Sequence, residues 1–64
     1  MESFTPELKR LLQGAGCSFV RHGKGDHEIW FSPMMRVNFV IDNKIKSRHT
    51  ANAVLKQAGL PKQF

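Results

Sequence analysis

His27 is the residue with the clearest chemical potential, because it stands between the glycine-rich segment "GKGD" and the run "EIWFS". An imidazole gains and loses a proton near neutral pH, which suits general acid or base catalysis. Asp26 and Glu28 flank it, yet neighbours along a strand point to opposite faces, so neither carboxylate need reach the ring. The residues alone leave two interpretations open: a proton-transfer group and a solvated strand end.

The segment before His27 predicts a turn that approaches an anion closely. Gly23 and Gly25 free the backbone for such an approach. Arg21 and Lys24 bring positive charge to the same point. The plain structural alternative is a hairpin turn with a solvated lysine.

A second basic group lies in "KIKSRH", just before a helical pattern, and contains Lys44, Lys46 and Arg48, with His49 as an auxiliary member. The first amide groups of a helix lack intrahelical partners, and the positive end of the helix dipole lies there. This group therefore predicts an anchor for the phosphates of a nucleic acid. The alternative is a soluble loop, which basic residues also make.

Two helical patterns enclose these candidate residues. Thr5-Pro6-Glu7 predicts the start of a helix over residues 6 to 15, with Thr5 as its cap. Leu8, Leu11, Leu12 and Ala15 share one face of it. A second helix is predicted in "TANAVLKQAGL", where apolar residues recur at helical spacing and Gly59 marks the end.

Three runs typical of strands, "CSFVRH", "HEIWFS" and "VNFVID", lie between the helices. The short connections predict antiparallel neighbours. The sequence thus predicts an α+β fold of order α-β-β-β-α, with both helices on one face of a three-stranded sheet and the other face open. Alternation places Cys17 and Phe19 on one side of the first strand, with Ser18, Val20 and His22 on the other.

The aromatic residues of the strands are interpreted as core rather than as a platform for base stacking. They are Phe19, Trp30, Phe31 and Phe39. Cys17 is expected to be a buried, inert thiol because it has no nucleophile context.

The composition indicates which kinds of partner and cofactor the protein can be expected to bind. The 64 residues carry a formal net charge of +5, which favours an acidic partner such as nucleic acid, an anionic membrane or an acidic protein. One cysteine and three scattered histidines match no zinc spacing, so neither a metal nor a cofactor is expected. The polar amino-terminal segment and the absence of a long apolar run predict a cytoplasmic protein without a membrane span.

The segments "ELKRLLQGAGCSFVRHGKGDHEIW" and "HTANAVLKQAGL" resemble the HicA/YcfA family of small bacterial toxins. The likeness runs from Glu7 to Leu60, and its most specific part is Gly25-Asp26-His27, where family members carry Gly-x-His. Asp26 departs from the usual serine, and Glu28 from the second histidine of many members. The resemblance implies an α-β-β-β-α fold like that of a double-stranded RNA-binding domain. The length of 64 residues predicts a single domain over residues 1–64.

The same resemblance implies a ribosome-independent mRNA interferase that a HicB-type antitoxin neutralises. The family's catalytic histidine corresponds to His27, and Gly25 matches the family glycine. We expect metal-independent RNA cleavage, with Arg21 or Lys24 beside the reacting phosphate and the second basic group on the RNA backbone. The alternatives are a non-catalytic RNA-binding module and a protein that binds only an acidic partner.

Overall fold

The computed structural model describes residues 3–64, so Met1 and Glu2, the start of the polar amino-terminal segment, lie outside the described residues. The elements in chain order are α1 (Thr5–Gly14), β1 (Ser18–His22), β2 (His27–Ser32), β3 (Val37–Asp42) and α2 (Arg48–Gln57). The strands form one antiparallel sheet in the order β1-β2-β3. The predicted α+β class and the α-β-β-β-α order are confirmed.

Both helices end in the same hydrogen-bond pattern around a glycine. At the end of α1, Gly16 has a φ of +97° and donates its N–H to the Gln13 carbonyl at 3.0 Å. The N–H of Cys17 then donates to the Leu12 carbonyl at 2.9 Å. The same two bonds recur at Gly59, whose φ is +90°. These are Schellman motifs, which favour glycine because its backbone accepts a positive φ.

The predicted cap of α1 is wrong. Phe4 occupies the N-cap position, and Thr5 is already the first helical residue. The buried Thr5 hydroxyl instead donates to the Asp42 carbonyl at 2.9 Å and accepts from the Ile45 N–H at 3.1 Å. A tertiary partner for the hydroxyl therefore replaces the local capping bond, and it fixes the start of α1 to the segment after β3.

Both helices cover the same face of the sheet, as predicted. Glu28 and Ser32 point to one side of β2, because they are four residues apart. Lys9 Nζ of α1 lies 3.0 Å from Glu28 Oε2, and Ser32 Oγ donates to the Ala58 carbonyl, at the end of α2, at 2.7 Å. The buried apolar residues between the layers are Leu8, Leu12, Cys17, Trp30, Phe39, Ile41, Ile45, Ala51, Val54, Leu55 and Ala58.

The prediction for the aromatic residues is confirmed in part. Trp30 and Phe39 are buried in the core. Phe19 is 46% exposed although it lies on the helix-covered face, and Phe31 is only partly buried on the opposite face. Cys17 is buried as expected, and this burial raises the pKa of its thiol despite a hydrogen bond to Ser32.

The face opposite the helices is called the outer face here. Residues paired across antiparallel strands share a face, so the pairing register defines its members. They are Ser18, Arg21, His27, Ile29, Phe31, Asn38, Val40 and Asp42. None of the described helices, all within residues 3–64, is long and apolar enough to cross a bilayer.

Candidate functional site

His27 is fixed by its backbone at the end of the β1–β2 hairpin. Its N–H donates to the Lys24 carbonyl at 3.1 Å, and its carbonyl accepts from the Gly23 N–H at 2.8 Å. Gly25 adopts a φ of +62°, which L-residues with a Cβ disfavour. The turn thus presents the His27 imidazole on the outer face, where the side chain is 49% exposed.

Asp42 is the acidic partner of His27 and was not among the predicted site residues. The two residues are paired across β2 and β3, and His27 Nε2 lies 3.8 Å from Asp42 Oδ2. Asp42 Oδ1 also accepts from the Lys44 N–H at 2.8 Å. Strand register was the signal that could have found this pair. Two six-residue strands joined by a short turn place the first residue of one opposite the last residue of the other.

The two acidic neighbours in sequence face other partners. Glu28 points toward the helices, where Trp30 Nε1 donates to it at 2.9 Å and Lys9 Nζ at 3.0 Å. Asp26 Oδ2 lies 3.4 Å from Lys44 Nζ on the surface. The expectation that neither flanking carboxylate need reach His27 is therefore in accord with the geometry.

Arg21 shares the outer face with His27 because β1 contains an irregularity. Phe19 pairs with Trp30 and Arg21 pairs with Ile29, so the register shifts at the residue between them. The predicted strict alternation of β1 side chains between the two faces is wrong beyond Phe19, because a bulge inserts one unpaired residue there. Arg21 becomes a diagonal neighbour of His27, about 7–8 Å away between Cα atoms.

The same shift moves His22 to the helix-covered side. His22 pairs with Glu28, and its ring lies edge-on to Phe19 with 5.1 Å between centroids. The prediction that His22 opposes Phe19 is therefore wrong. The two histidines near the hairpin end up on opposite faces of the sheet.

The predicted basic residues lie in the hairpin turn and along the segment that leads into α2. Lys24 is exposed in the turn itself, and Lys44 reaches the hairpin through Asp26. Lys46 is exposed and lies at most about 8 Å from Lys44 along the chain. Arg48 is exposed in the first turn of α2, so its predicted place in a loop before the helix is wrong.

α2 begins one residue after Ser47, whose hydroxyl accepts from the Thr50 N–H at 3.5 Å. Ile45, in the middle of the basic segment, is buried in the core. Its burial and the bonds of Thr5 hold this segment against the start of α1. The alternating basic residues on either side therefore face solvent.

The site is an exposed imidazole on an open surface. Two surface grooves lie elsewhere, one of about 320 Å³ along α2 and one of about 480 Å³ at the outer edge of β3. Within residues 3–64, the structure places no three acidic, histidine or cysteine side chains together as a metal site. The arrangement offers a proton-exchanging group, an adjacent carboxylate and nearby cations to a ligand that approaches from solvent.

The fold and the site together describe a class of protein, namely small basic α+β proteins that present a histidine and cations on an open sheet face. The family model described as HicA toxin of bacterial toxin-antitoxin matches residues 5–60. The chain therefore belongs to the HicA toxin family. It is accordingly a toxin-family protein of a toxin–antitoxin system, which implies an antitoxin partner. No curated protein and no solved structure compared with the chain matched it.

Proposed function

We propose that this toxin is a metal-independent, ribosome-independent endoribonuclease that cleaves mRNA with His27 as general acid or base. The observation that carries the proposal is the exposed His27 imidazole, held at a glycine turn on the open face of a HicA-family chain. Arg21, Lys24 and Lys44 surround the same hairpin. Because mRNA is the substrate, the proposed location is the cytoplasm.

The proposed reaction uses the nucleophile that RNA itself contains. The 2′-oxygen attacks the adjacent phosphorus, the bond from phosphorus to the 5′-oxygen breaks, and a 2′,3′-cyclic phosphate and a 5′-hydroxyl form. The 2′-hydroxyl loses a proton and the 5′-oxygen gains one. His27 transfers one of these protons and water the other, a contribution of about 10²–10⁴-fold from the histidine.

Positive charge near His27 supports the same step. Negative charge accumulates on the phosphoryl oxygens in the transition state, so a cation fixed beside them lowers the barrier. Arg21 and Lys24 are the proposed groups, and the exposed Gly25 lets the backbone approach the phosphate closely.

The second basic group is proposed to hold the RNA backbone. Lys44, Lys46 and Arg48 follow one another from the hairpin to the start of α2, and all three side chains are exposed. The ion pair of Lys44 with Asp26 is 74% and 61% exposed, so it is weak enough for a phosphate to replace. Phosphate contacts position RNA without selecting its sequence.

The proposed partner is a HicB-type antitoxin that covers the outer face and buries His27. Ile29, Phe31 and Val40 give this face an apolar centre that a protein partner can bury. The test is the rate at which diethyl pyrocarbonate modifies His27 with and without antitoxin. Protection is expected, and an unchanged rate would show that inhibition works elsewhere.

Cleavage of a long, end-labelled mRNA in EDTA tests the proposed activity. Wild type is expected to cut, and His27→Ala to lose cutting by at least about 10²-fold while keeping its fold and RNA affinity. His22→Ala is the matched control, since this histidine lies on the other side of the sheet. It is expected to cut like wild type.

Two results would contradict the proposal. Equal loss in both histidine variants would indicate a general structural effect rather than catalysis by His27. Salt-dependent RNA binding by wild type without any cutting would identify a non-catalytic RNA-binding module instead.

A further inference from the structure

Three successive residues at the end of β3 contact the hairpin that carries His27. Asp42 Oδ2 lies 3.8 Å from His27 Nε2. Asn43 donates to the Asp26 carbonyl twice, from its N–H at 3.1 Å and from its side-chain Nδ2 at 2.7 Å. Lys44 Nζ lies 3.4 Å from Asp26 Oδ2. Residues 42–44, called the 42–44 clamp here, therefore hold both the backbone and the side chains of the hairpin end.

The clamp is itself attached to α1 on the other side of the sheet. Asn43 Oδ1 accepts from Lys9 Nζ at 2.6 Å, and Asn43 Nδ2 also lies within hydrogen-bond distance of Glu28 Oε2, at 3.2 Å. The Asp42 carbonyl accepts from the Thr5 hydroxyl at 2.9 Å. A continuous chain of hydrogen bonds thus connects the first turns of α1 with the hairpin.

A catalytic histidine at this place needs such support. The hairpin contains two glycines, which give its backbone wide conformational freedom, and it lies at the end of the sheet. A displacement of about 1 Å at a reacting group can cost about 100-fold in rate. The side chains that could restrict the His27 ring from β3 are those of the clamp, because the pairing register places Asp42 directly opposite.

We propose that Asp42 and Asn43, the first two residues of the 42–44 clamp, position His27 for RNA cleavage, a role that rests on the function proposed above. Asn43 fixes the peptide bond between Asp26 and His27 through the Asp26 carbonyl. The Asp42 carboxylate, 3.8 Å from His27 Nε2, attracts the imidazole when the ring carries a proton. Asp42 and Asn43 are positioning residues, since they act through His27 rather than on the RNA. Loss of this role is therefore expected to lower the rate of cleavage without changing the affinity for RNA.

Single-turnover cleavage at saturating protein tests this separation with Asn43→Ala and Asp42→Asn. The rate is expected to fall about tenfold in Asn43→Ala, through loss of alignment. It is expected to fall about fivefold in Asp42→Asn, which keeps the shape and the bond to the Lys44 N–H but removes the charge that faces His27. RNA affinity is expected to stay within about twofold of wild type in both.

Asn38→Ala is the matched control, because Asn38 lies on the same strand and the same face but pairs with Phe31, far from the hairpin. It is expected to cleave at the wild-type rate. Weaker RNA binding with an unchanged single-turnover rate in the clamp variants would overturn the inference, because it would place these residues in the RNA contact.

Backbone ¹⁵N relaxation tests the clamp without any cleavage. In Asn43→Ala the order parameters of Gly25, Asp26 and His27 are expected to fall, while those of α2 and the Asn38→Ala control stay at wild-type values. Unchanged hairpin order parameters would overturn the clamp. If wild type cuts no RNA, the proposed function fails, and relaxation alone then decides whether these residues hold the hairpin.

Discussion

Glu28 shows at the scale of one residue how a carboxylate joins three elements. Its Oε1 accepts from Trp30 Nε1 at 2.9 Å within β2, and its Oε2 accepts from Lys9 of α1 at 3.0 Å and Asn43 at 3.2 Å. The side chain is only 13% exposed. The bond from Trp30, followed by those from Lys9 and Asn43, lowers the pKa of Glu28 below its ordinary value of 4.5, although burial opposes the shift.

This pKa shift predicts acid sensitivity. A carboxyl group whose pKa is lower in the folded state stabilises the protein above the unfolded pKa, and this contribution is lost as pH falls through the folded pKa. The free energy of unfolding is therefore expected to decrease below about pH 4.5. In Glu28→Gln it is expected to be about 1–3 kcal/mol lower at pH 7 and to depend less on acid pH.

Urea unfolding at a series of pH values measures this effect. Glu7→Gln is the matched control, because it removes an exposed glutamate of α1 without touching the Glu28 bonds. A Glu28→Gln protein that lost stability with acid as steeply as wild type would show that another group causes the acid sensitivity.

At the scale of the elements, the end of α2 depends on a backbone conformation rather than on side-chain packing. Gly59 combines a φ of +90° with a close neighbour, because a Cβ added there would lie 2.9 Å from Met35 Cγ. The bond from the Leu60 N–H to the Leu55 carbonyl, at 2.8 Å, requires this conformation. Gly59 therefore allows both this helix end and the close approach of Met35, in the β2–β3 turn.

Gly59→Ala is expected to lower the free energy of unfolding by about 1–2 kcal/mol, the cost of left-handed backbone in an L-residue. Gly14→Ala is the matched control, because this glycine is helical and a Cβ added there would meet no described atom within 4 Å beyond its chain neighbours and its own helix backbone. It is expected to raise stability by about 0.4–1 kcal/mol. Thermal unfolding of both variants measures the difference, and equal effects would contradict this account of the helix end.

The order of elements could be predicted from the sequence because each has a local signal. Pro6, the leucine spacing and Gly16 bound α1, and Gly59 bounds α2. The bulge in β1 could not be predicted in the same way, since it has no glycine and depends on pairing with β2. Arg21 was therefore expected in the site for its charge, whereas its place beside His27 on the outer face comes from tertiary register.

The partners of the site residues show the same limit. The turn before His27 is visible in its glycines, but Asp42 and Asn43 come into the site only through pairing of β2 with β3. Thr5 was predicted as a cap because local propensity favours it there, and a buried tertiary bond replaced that role. Long-range contacts decide these details, and among them only the pairing of His27 with Asp42 could have been inferred, from the register of two strands joined by a short turn.

At the scale of the whole molecule, the formal net charge of +5 predicts that the proposed binding of RNA weakens as the salt concentration rises. Each phosphate contact to single-stranded RNA contributes about 0.7 to the slope of log affinity against log salt. Replacing Lys44, Lys46 and Arg48 together by glutamine is therefore expected to reduce that slope by about 2. Filter binding over a range of salt concentrations measures it.

A matched triple variant separates local contacts from total charge. Arg10, Lys56 and Lys62 are exposed on the helices and the carboxy-terminal segment, and their replacement by glutamine removes the same charge. The slope of this variant is expected to stay close to that of wild type. Equal reductions of the slope in both triple variants would show that the salt dependence comes from the net charge alone, rather than from contacts of the second basic group with RNA.

The most direct test of the central claim is cleavage of an RNA with a single 2′-deoxy nucleotide immediately before a mapped cut. Wild-type protein, in EDTA, is expected to leave that bond intact and to cut the unmodified RNA to a 2′,3′-cyclic phosphate. Cleavage of the modified bond at an unchanged rate would contradict the account, because the 2′-hydroxyl would then not be the nucleophile.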